Sequence, residues 1–342
     1  MAGMQAGGSG ARGRPTMKDV AESAGVGLKT VSRVVNGEPG VNPATAEKVQ
    51  TAISKLGFRR NDSARILRRG NTASIGLVLE DVADPFYSGL TRAVEEVARG
   101  HDSLVFAGSS DEDPDREREL TLAFCARRVE GLIVVPAGDD HEYLAPEMAA
   151  GVAAVFVDRP AGGIKADAVL ADNAGGTREG VEHLLHHGHR RIAFLGDSPQ
   201  IFTAKERLRG YREAIEAAGL AVDADLVAMF PPRAEAIRQA LDRLLGGDRP
   251  ATALFAGNSR VTVAVLRELV HRRGRPALVG FDDFELADLL SPGVTVVAQD
   301  PIGLGRTAAE LLFQRLAGDR GPARRIELST RLIPRGSGEV SP

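Results

Sequence analysis

Residues 16–56 read TMKDVAESAGVGLKTVSRVVNGEPGVNPATAEKVQTAISKL, with apolar side chains at helical spacing broken by glycine turns. The pattern predicts three short helices. Val20, Ala21 and Ala24 line one face of the first, Val31, Val34 and Val35 line the second, and Ala46, Val49, Ile53 and Leu56 stripe the third. These faces can share one small core. Gly25-Val26-Gly27 separates the first two helices, where a tight turn needs residues free of side-chain clash or able to take positive φ. Asn42 before Pro43 is a cap and first-position pair for the third helix, and Gly57 ends it.

Upstream lies MAGMQAGGSGARGRP, with glycine and arginine where an export signal needs an apolar run; residues 1–15 are expected to be a disordered arm, with no export. Downstream, residues 58–70 read FRRNDSARILRRG, a short basic linker with helical potential: Asn61 is a possible cap, Ile66 and Leu67 are its apolar residues, and Gly70 is a stop. Residues 1–70 carry 12 lysines and arginines against 5 acidic residues, net +7, whereas the whole chain is −3. Positive charge concentrated in a fifth of the chain points to an anionic polymer as partner. Nucleic acid is favoured over a membrane surface because no lipid-inserting apolar face accompanies the charge.

A length of 342 residues with 43% hydrophobic content supports two or three domains with real cores. The single cysteine, Cys125, excludes an intramolecular disulfide and argues for a reducing, cytoplasmic compartment. The longest apolar stretches, such as 149–157, fall well short of the ~20 residues that cross a bilayer, so no membrane span is expected. Beyond residue 70 the chain alternates apolar strands with helices. Strands are predicted at 74–79, 103–107, 131–135, 153–157, 168–171, 191–195, 253–255, 277–279 and 295–298, with helices between them. That is too many for one ordinary doubly wound sheet and reads as two similar parallel sheets in tandem. A cleft then lies between them, and the residues just after each strand are the candidates for ligand contact.

With VAESAGVGLKTVSRVVNG in the head, the chain resembles the lactose-repressor and galactose-repressor (LacI-type) family of bacterial transcription regulators. The likeness continues through GLVLEDVADPFY, VEGLIVVPA, AVFVDRP, ADNAGGTREGVEHLLHHGHRRIAFLGD, AKERLRGY, GFDD and VVAQDPIGLGRTAAELL, covering roughly residues 16–336. It implies an all-α helix-turn-helix DNA-binding domain over 16–60 and a hinge helix over 61–70. The expected α/β core over 71–338 is similar to periplasmic sugar-binding proteins. Its N-subdomain would cover about 71–172 and 300–325, its C-subdomain about 173–299 and 326–338. The resemblance further implies a homodimer whose affinity for a double-stranded DNA operator responds to a small molecule.

In a helix-turn-helix the first turns of the second helix face base edges in the major groove. Those side chains here are Leu28, Lys29 and Arg33: arginine bonds guanine bidentately, lysine reads guanine or neutralises phosphate, and leucine offers only apolar contact. Thr16, Thr30, Ser32 and Asn36 are candidate phosphate or sugar contacts, and Met17 stands where the family touches DNA. By position in the family's hinge, Leu67 is the residue that wedges into the minor groove, Ala64 allows close approach, and Arg65, Arg68 and Arg69 supply charge. Two departures stand out. Gly27 replaces the usual serine cap of the recognition helix, and Arg60-Asn61 replaces the usual proline-asparagine opening of the hinge.

Sugar hydroxyls call for carboxylates, amides and arginine, with an aromatic surface for the ring's apolar face. Phe86, Asp158, Arg159, Arg207, Asn258, Asp282 and Gln299 match the family's effector-binding positions, so a sugar or related polyol is the expected effector; Ser259 departs from the aspartate that normally follows the asparagine. The rival reading is a sugar-binding receptor or carbohydrate-processing protein on the same core, disfavoured by the basic head and the lack of a signal peptide. Gly303-Leu304-Gly305-Arg306-Thr307-Ala308 imitates a dinucleotide-binding turn, but no strand with an acidic end follows it. His183 and His187 have metal-ligand spacing but read better as a helix C-terminus capped by Gly188. No nucleophile elbow is present, so no enzymatic activity, cofactor or metal is expected. The C-terminal IPRGSGEVSP has no leucine heptad, which leaves a dimer as the simplest assembly.

Overall fold

Thr16 opens the first helix of the head with a capping box. Its Oγ1 accepts from the Asp19 amide at 3.4 Å and its own amide donates to Asp19 Oδ2 at 2.6 Å, starting α1 (Met17–Ala24). Gly25, at φ +64°, ends that helix in the left-handed region. Gly27 opens α2 (Leu28–Val35) with no side-chain bond, the gap left by its missing hydroxyl. Asn42 caps α3 (Pro43–Leu56), its Oδ1 accepting from the Ala44 amide at 2.9 Å. Val20, Ala21, Val31, Val49, Ala52 and Phe58 form the buried centre of this head. Phe58, read from sequence as the start of the linker, is 8% exposed. Past Gly57 its amide bonds the Ile53 carbonyl at 3.0 Å, a left-handed helix ending that folds the next side chain back onto the core.

The computed structural model describes residues 15–58, 73–272 and 274–342. The hinge segment 61–70, with Ala64 and Leu67, lies outside the described residues, as do residues 1–14. The chain divides into two compact units between residues 72 and 73.

In the second unit, β1 (Ser74–Leu79), β2 (Leu104–Ser109), β3 (Gly131–Val134), β4 (Ala153–Val157) and β5 (Asp167–Ala171) form one sheet with β11 (Arg325–Leu328), in the order β11-β5-β4-β3-β1-β2. β6 (Ile192–Gly196), β7 (Val227–Met229), β8 (Ala253–Ala256), β9 (Ala277–Phe281), β10 (Thr295–Ala298) and β12 (Arg331–Ile333) form the other, in the order β12-β10-β9-β8-β6-β7. All pairings are parallel except β10 with β12. The strand order is the same in both sheets, and only the last edge strand differs in direction, β11 parallel and β12 antiparallel. Helices α4 (Pro85–Gly100), α5 (Pro114–Ala126) and α11 (Pro301–Leu316) serve the first sheet. α7 (Asn173–His186), α8 (Phe202–Ala217), α9 (Ala234–Leu245) and α10 (Ser259–Leu269) serve the second, and the short α6 (Ala145–Ala149) precedes β4. The inner strands are buried on both faces, as helix-covered parallel sheets require.

Three strands went unread in the sequence: β7, β11 and β12. β11 changes a boundary. Its pairing with β5 places it in the first lobe, so the last crossing between lobes falls between Leu328 and Arg331, not near residue 325. The chain thus crosses three times, after β5, after β10 and after β11. Two of these crossings touch: the Asp172 amide, after β5, donates to the Leu328 carbonyl, at the end of β11, at 2.9 Å.

Candidate functional site: a recognition helix and an interlobe cleft

Within the head, α2 turns Val31 inward and half-buries Val34 and Val35. The opposite face is open: Leu28 is 53% exposed, and Lys29 and Arg33 are exposed beside it. Arg33 Nε lies 3.8 Å from Glu38 Oε2 in an exposed pair. Asn36 Nδ2 donates to Ser32 Oγ at 3.3 Å and to Glu38 Oε1 at 3.2 Å, and Thr30, Ser32 and Asn36 are half-buried. The Thr16 hydroxyl donates to Asp19 Oδ2 at 2.7 Å, and Met17 packs half-buried against the head core. The base-reading candidates therefore project from one turn and a half of helix, while the phosphate candidates flank it.

In the core, all seven effector candidates, Phe86, Asp158, Arg159, Arg207, Asn258, Asp282 and Gln299, line a single cleft between the lobes. The repeated topology explains the arrangement. Asp158 follows β4 and Asp282 follows β9, the equivalent strand of the other sheet; both take positive φ, +70° and +69°. Each amide donates to the neighbouring strand at 2.9 Å, Asp158 to the Val169 carbonyl and Asp282 to the Val297 carbonyl. Two non-glycine residues held in the left-handed region at matching strand ends are strain of the kind binding sites retain.

Arg159, 5% exposed, donates from Nη1 to Glu112 Oε2 at 2.8 Å and to the Pro136 carbonyl at 2.7 Å, from Nη2 to Glu112 Oε1, and its Nε lies 3.5 Å from Asp158. Arg207 stacks 3.9 Å above the Phe281 ring, donates to Asn173 Oδ1 and the Gly257 carbonyl at 2.7 Å each, and lies 3.5 Å from Asp282. Gln299 Nε2 donates to Asp282 Oδ1 at 2.5 Å, while its buried Oε1 has no partner among the described residues. Asn258 caps α10 through Val261 and donates to Asp197 Oδ2 at 3.0 Å. Phe86 meets Tyr87 edge to face at 5.0 Å. The arrangement offers hydrogen-bond donors, acceptors and an aromatic edge.

Sequence reasoning missed Glu80, Asp197 and Arg260. Glu80 follows β1 and Asp197 follows β6, so the rule that ligand-facing residues follow strands covers both. Arg260, on α10 of the second lobe, reaches Glu80 of the first. Burial, with the Glu112 carboxylate beside it, pushes the Glu80 carboxyl up to about 8. Burial also raises Asp158, against the pull of Arg159 and Arg207. Of the lookalike motifs, Gly305 lies against α4, where a Cβ would meet the Leu90 carbonyl oxygen at 2.4 Å. His183 pairs with Glu339 at 2.5 Å, and His187 bonds the His183 carbonyl.

A helix-turn-helix head ahead of a two-lobed α/β core with a polar cleft at its strand ends defines a class, the ligand-sensing DNA-binding regulators. Residues 16–61 match the family model for bacterial regulatory proteins of the lacI family, and residues 181–338 match the periplasmic binding protein-like domain. The transcriptional regulator CelR of Thermobifida fusca is 36% identical over 96% of this chain and 99% of its own. A CelR–cellobiose complex superposes with a TM-score of 0.69 at 32% identity, covering 95% of this chain and 100% of that one. The lac repressor dimer bound to operator and the anti-inducer ONPF superposes with a TM-score of 0.81 at 26% identity, covering 96% and 100%. The chain belongs to the lacI family of bacterial regulatory proteins: it is a DNA-binding transcription regulator and not an enzyme.

Proposed function

We propose that the protein is a repressor that binds a pseudo-palindromic operator as a homodimer and changes its operator affinity when a sugar-like molecule occupies the cleft. The observation that carries this reading is the gathering of all seven effector candidates around one interlobe cavity in a chain whose head exposes Leu28, Lys29 and Arg33 on one helix face. The cellobiose held by CelR and the operator held by the lac repressor dimer support it. The mechanism is a population shift: a ligand touching both lobes favours one placement of the lobes, and that placement sets the spacing at which a dimer presents its paired heads. Thr16, Met17, Thr30, Ser32 and Asn36 position the head on the backbone, Ala64 and Leu67 act in the minor groove, and the site of action is the cytoplasm. No helix among the described residues is long and apolar enough to cross a membrane.

Selection of duplexes from random DNA by the full-length protein, followed by titration of sugars into the selected complex, tests the reading. A two-fold-related consensus whose affinity shifts with a sugar is expected. Indifference to every duplex at moderate salt overturns it.

A further inference from the structure

Charge in the cleft is out of balance. Glu80, Asp84, Asp158, Asp197 and Asp282 line it, against the guanidiniums of Arg159, Arg207 and Arg260. Glu112 adds another carboxylate on Arg159. Each guanidinium is already engaged: Arg159 by Glu112 and the Pro136 carbonyl, Arg207 by Asn173 and the Gly257 carbonyl, Arg260 by Glu80. Asp84 and Asp197 have no ion pair among the described residues. Asp84 Oδ1 accepts the Phe86 amide at 2.9 Å, which leaves Oδ2 without a hydrogen bond among the described residues. Asp197 accepts from the Ser198 amide at 2.7 Å and from Asn258 at 3.0 Å. Protonating Glu80 leaves the acidic surplus in place. Burial chiefly raises the Asp84 carboxyl, with Asp282 adding to it while the Phe86 amide and Arg260 pull it down.

We propose that the cleft takes an uncharged, hydroxyl-rich ligand and rejects its anionic derivatives, with Asp84 as a specificity-determining carboxylate. The proposal rests on the reading of the cleft as the effector site. A carboxylate or phosphate entering here finds each guanidinium already bonded to a protein carboxylate, amide or carbonyl, and meets carboxylate lone pairs of its own sign in surplus where water screens poorly. A hydroxyl suits both kinds of neighbour, donating to Asp84 Oδ2 and accepting from an amide or guanidinium, while Phe86 faces the carbon skeleton. An ammonium group would satisfy the carboxylates only by sitting among three guanidiniums.

The test is calorimetric titration of the full-length protein with matched sets: glucose with glucuronate, glucose 6-phosphate and glucosamine; galactose with galacturonate; cellobiose with cellobionate. Within each set that binds, the neutral sugar is expected to bind at least tenfold tighter than its charged derivatives. The gap against the acid should narrow several-fold in Asp84→Asn, whose amide still caps α4, at an unchanged unliganded melting temperature. An acid, phosphate or amine that binds as tightly as its neutral parent overturns charge selection while leaving the effector site standing. An unchanged gap in Asp84→Asn overturns the role of Asp84. Binding by no member of any set overturns the ligand class and, with operator binding intact, the reading of the cleft.

Discussion

Arg33 is held only loosely before DNA arrives: its contact with Glu38 is 3.8 Å long and exposed, a pair of the kind that contributes little and is easily exchanged for a guanine edge. Arg33→Ala is therefore expected to weaken operator binding by about 1–3 kcal/mol and relax preference at one base position, measured by competition against random duplex; equal losses on both would exclude base readout. Glu80 makes a different prediction. Its carboxyl is raised from 4.5 to about 8, so it favours the folded core fully below pH 4.5, and that contribution is lost as pH rises through 8. The melting temperature of Glu80→Gln should consequently vary less than wild type between pH 5 and 9, and parallel profiles would refute the assignment. The seven cleft candidates were legible because each sits within a recognisable motif, six of them at a strand end or helix start and Arg207 inside α8. Glu112 carried no such signal: it reaches Arg159 from a turn, at φ +60°, that no apolar pattern marks.

At the scale of elements, long buried strands and amphipathic helices were readable and short edge strands were not. β7, β11 and β12 lie at sheet edges and span three or four residues, too few for periodicity to separate strand from loop. Phe58, within the 16–60 head but adjoining the basic segment, gives no sign of its packing in the sequence for a related reason. Its burial comes from a left-handed turn at Gly57, a backbone event that hydrophobic spacing does not record. The glycines in the dinucleotide-like stretch acquire meaning only from their neighbours. Gly305 lets α11 close on the backbone of α4, so Gly305→Ala, which drives a methyl to within 2.4 Å of the Leu90 carbonyl oxygen, should destabilise the core by about 1–3 kcal/mol in a denaturant titration. Unchanged stability would mean that the two helices separate at no cost.

For the whole molecule, the consequential feature is a cleft built twice over from one topology, with Arg260 of one lobe reaching Glu80 of the other. Because Asp282 joins Gln299 to Arg207 inside the cleft, Asp282→Asn should lower effector affinity at least tenfold, about 1.4 kcal/mol, while operator affinity without effector changes less than twofold. Fluorescence anisotropy on a labelled operator reads both quantities, and a normal effector response would move the pocket elsewhere. By itself the sequence determined the three-helix head, the tandem parallel sheets and the strand-end residues of the cleft, since helical spacing, strand alternation and glycine turns are local properties written along the chain. Only the tertiary structure decided which lobe β11 joins, how Phe58 closes the head, and that Glu80, Asp197 and Arg260 meet between lobes. Those depend on pairings across long separations in sequence, where burial, charge and backbone direction act together.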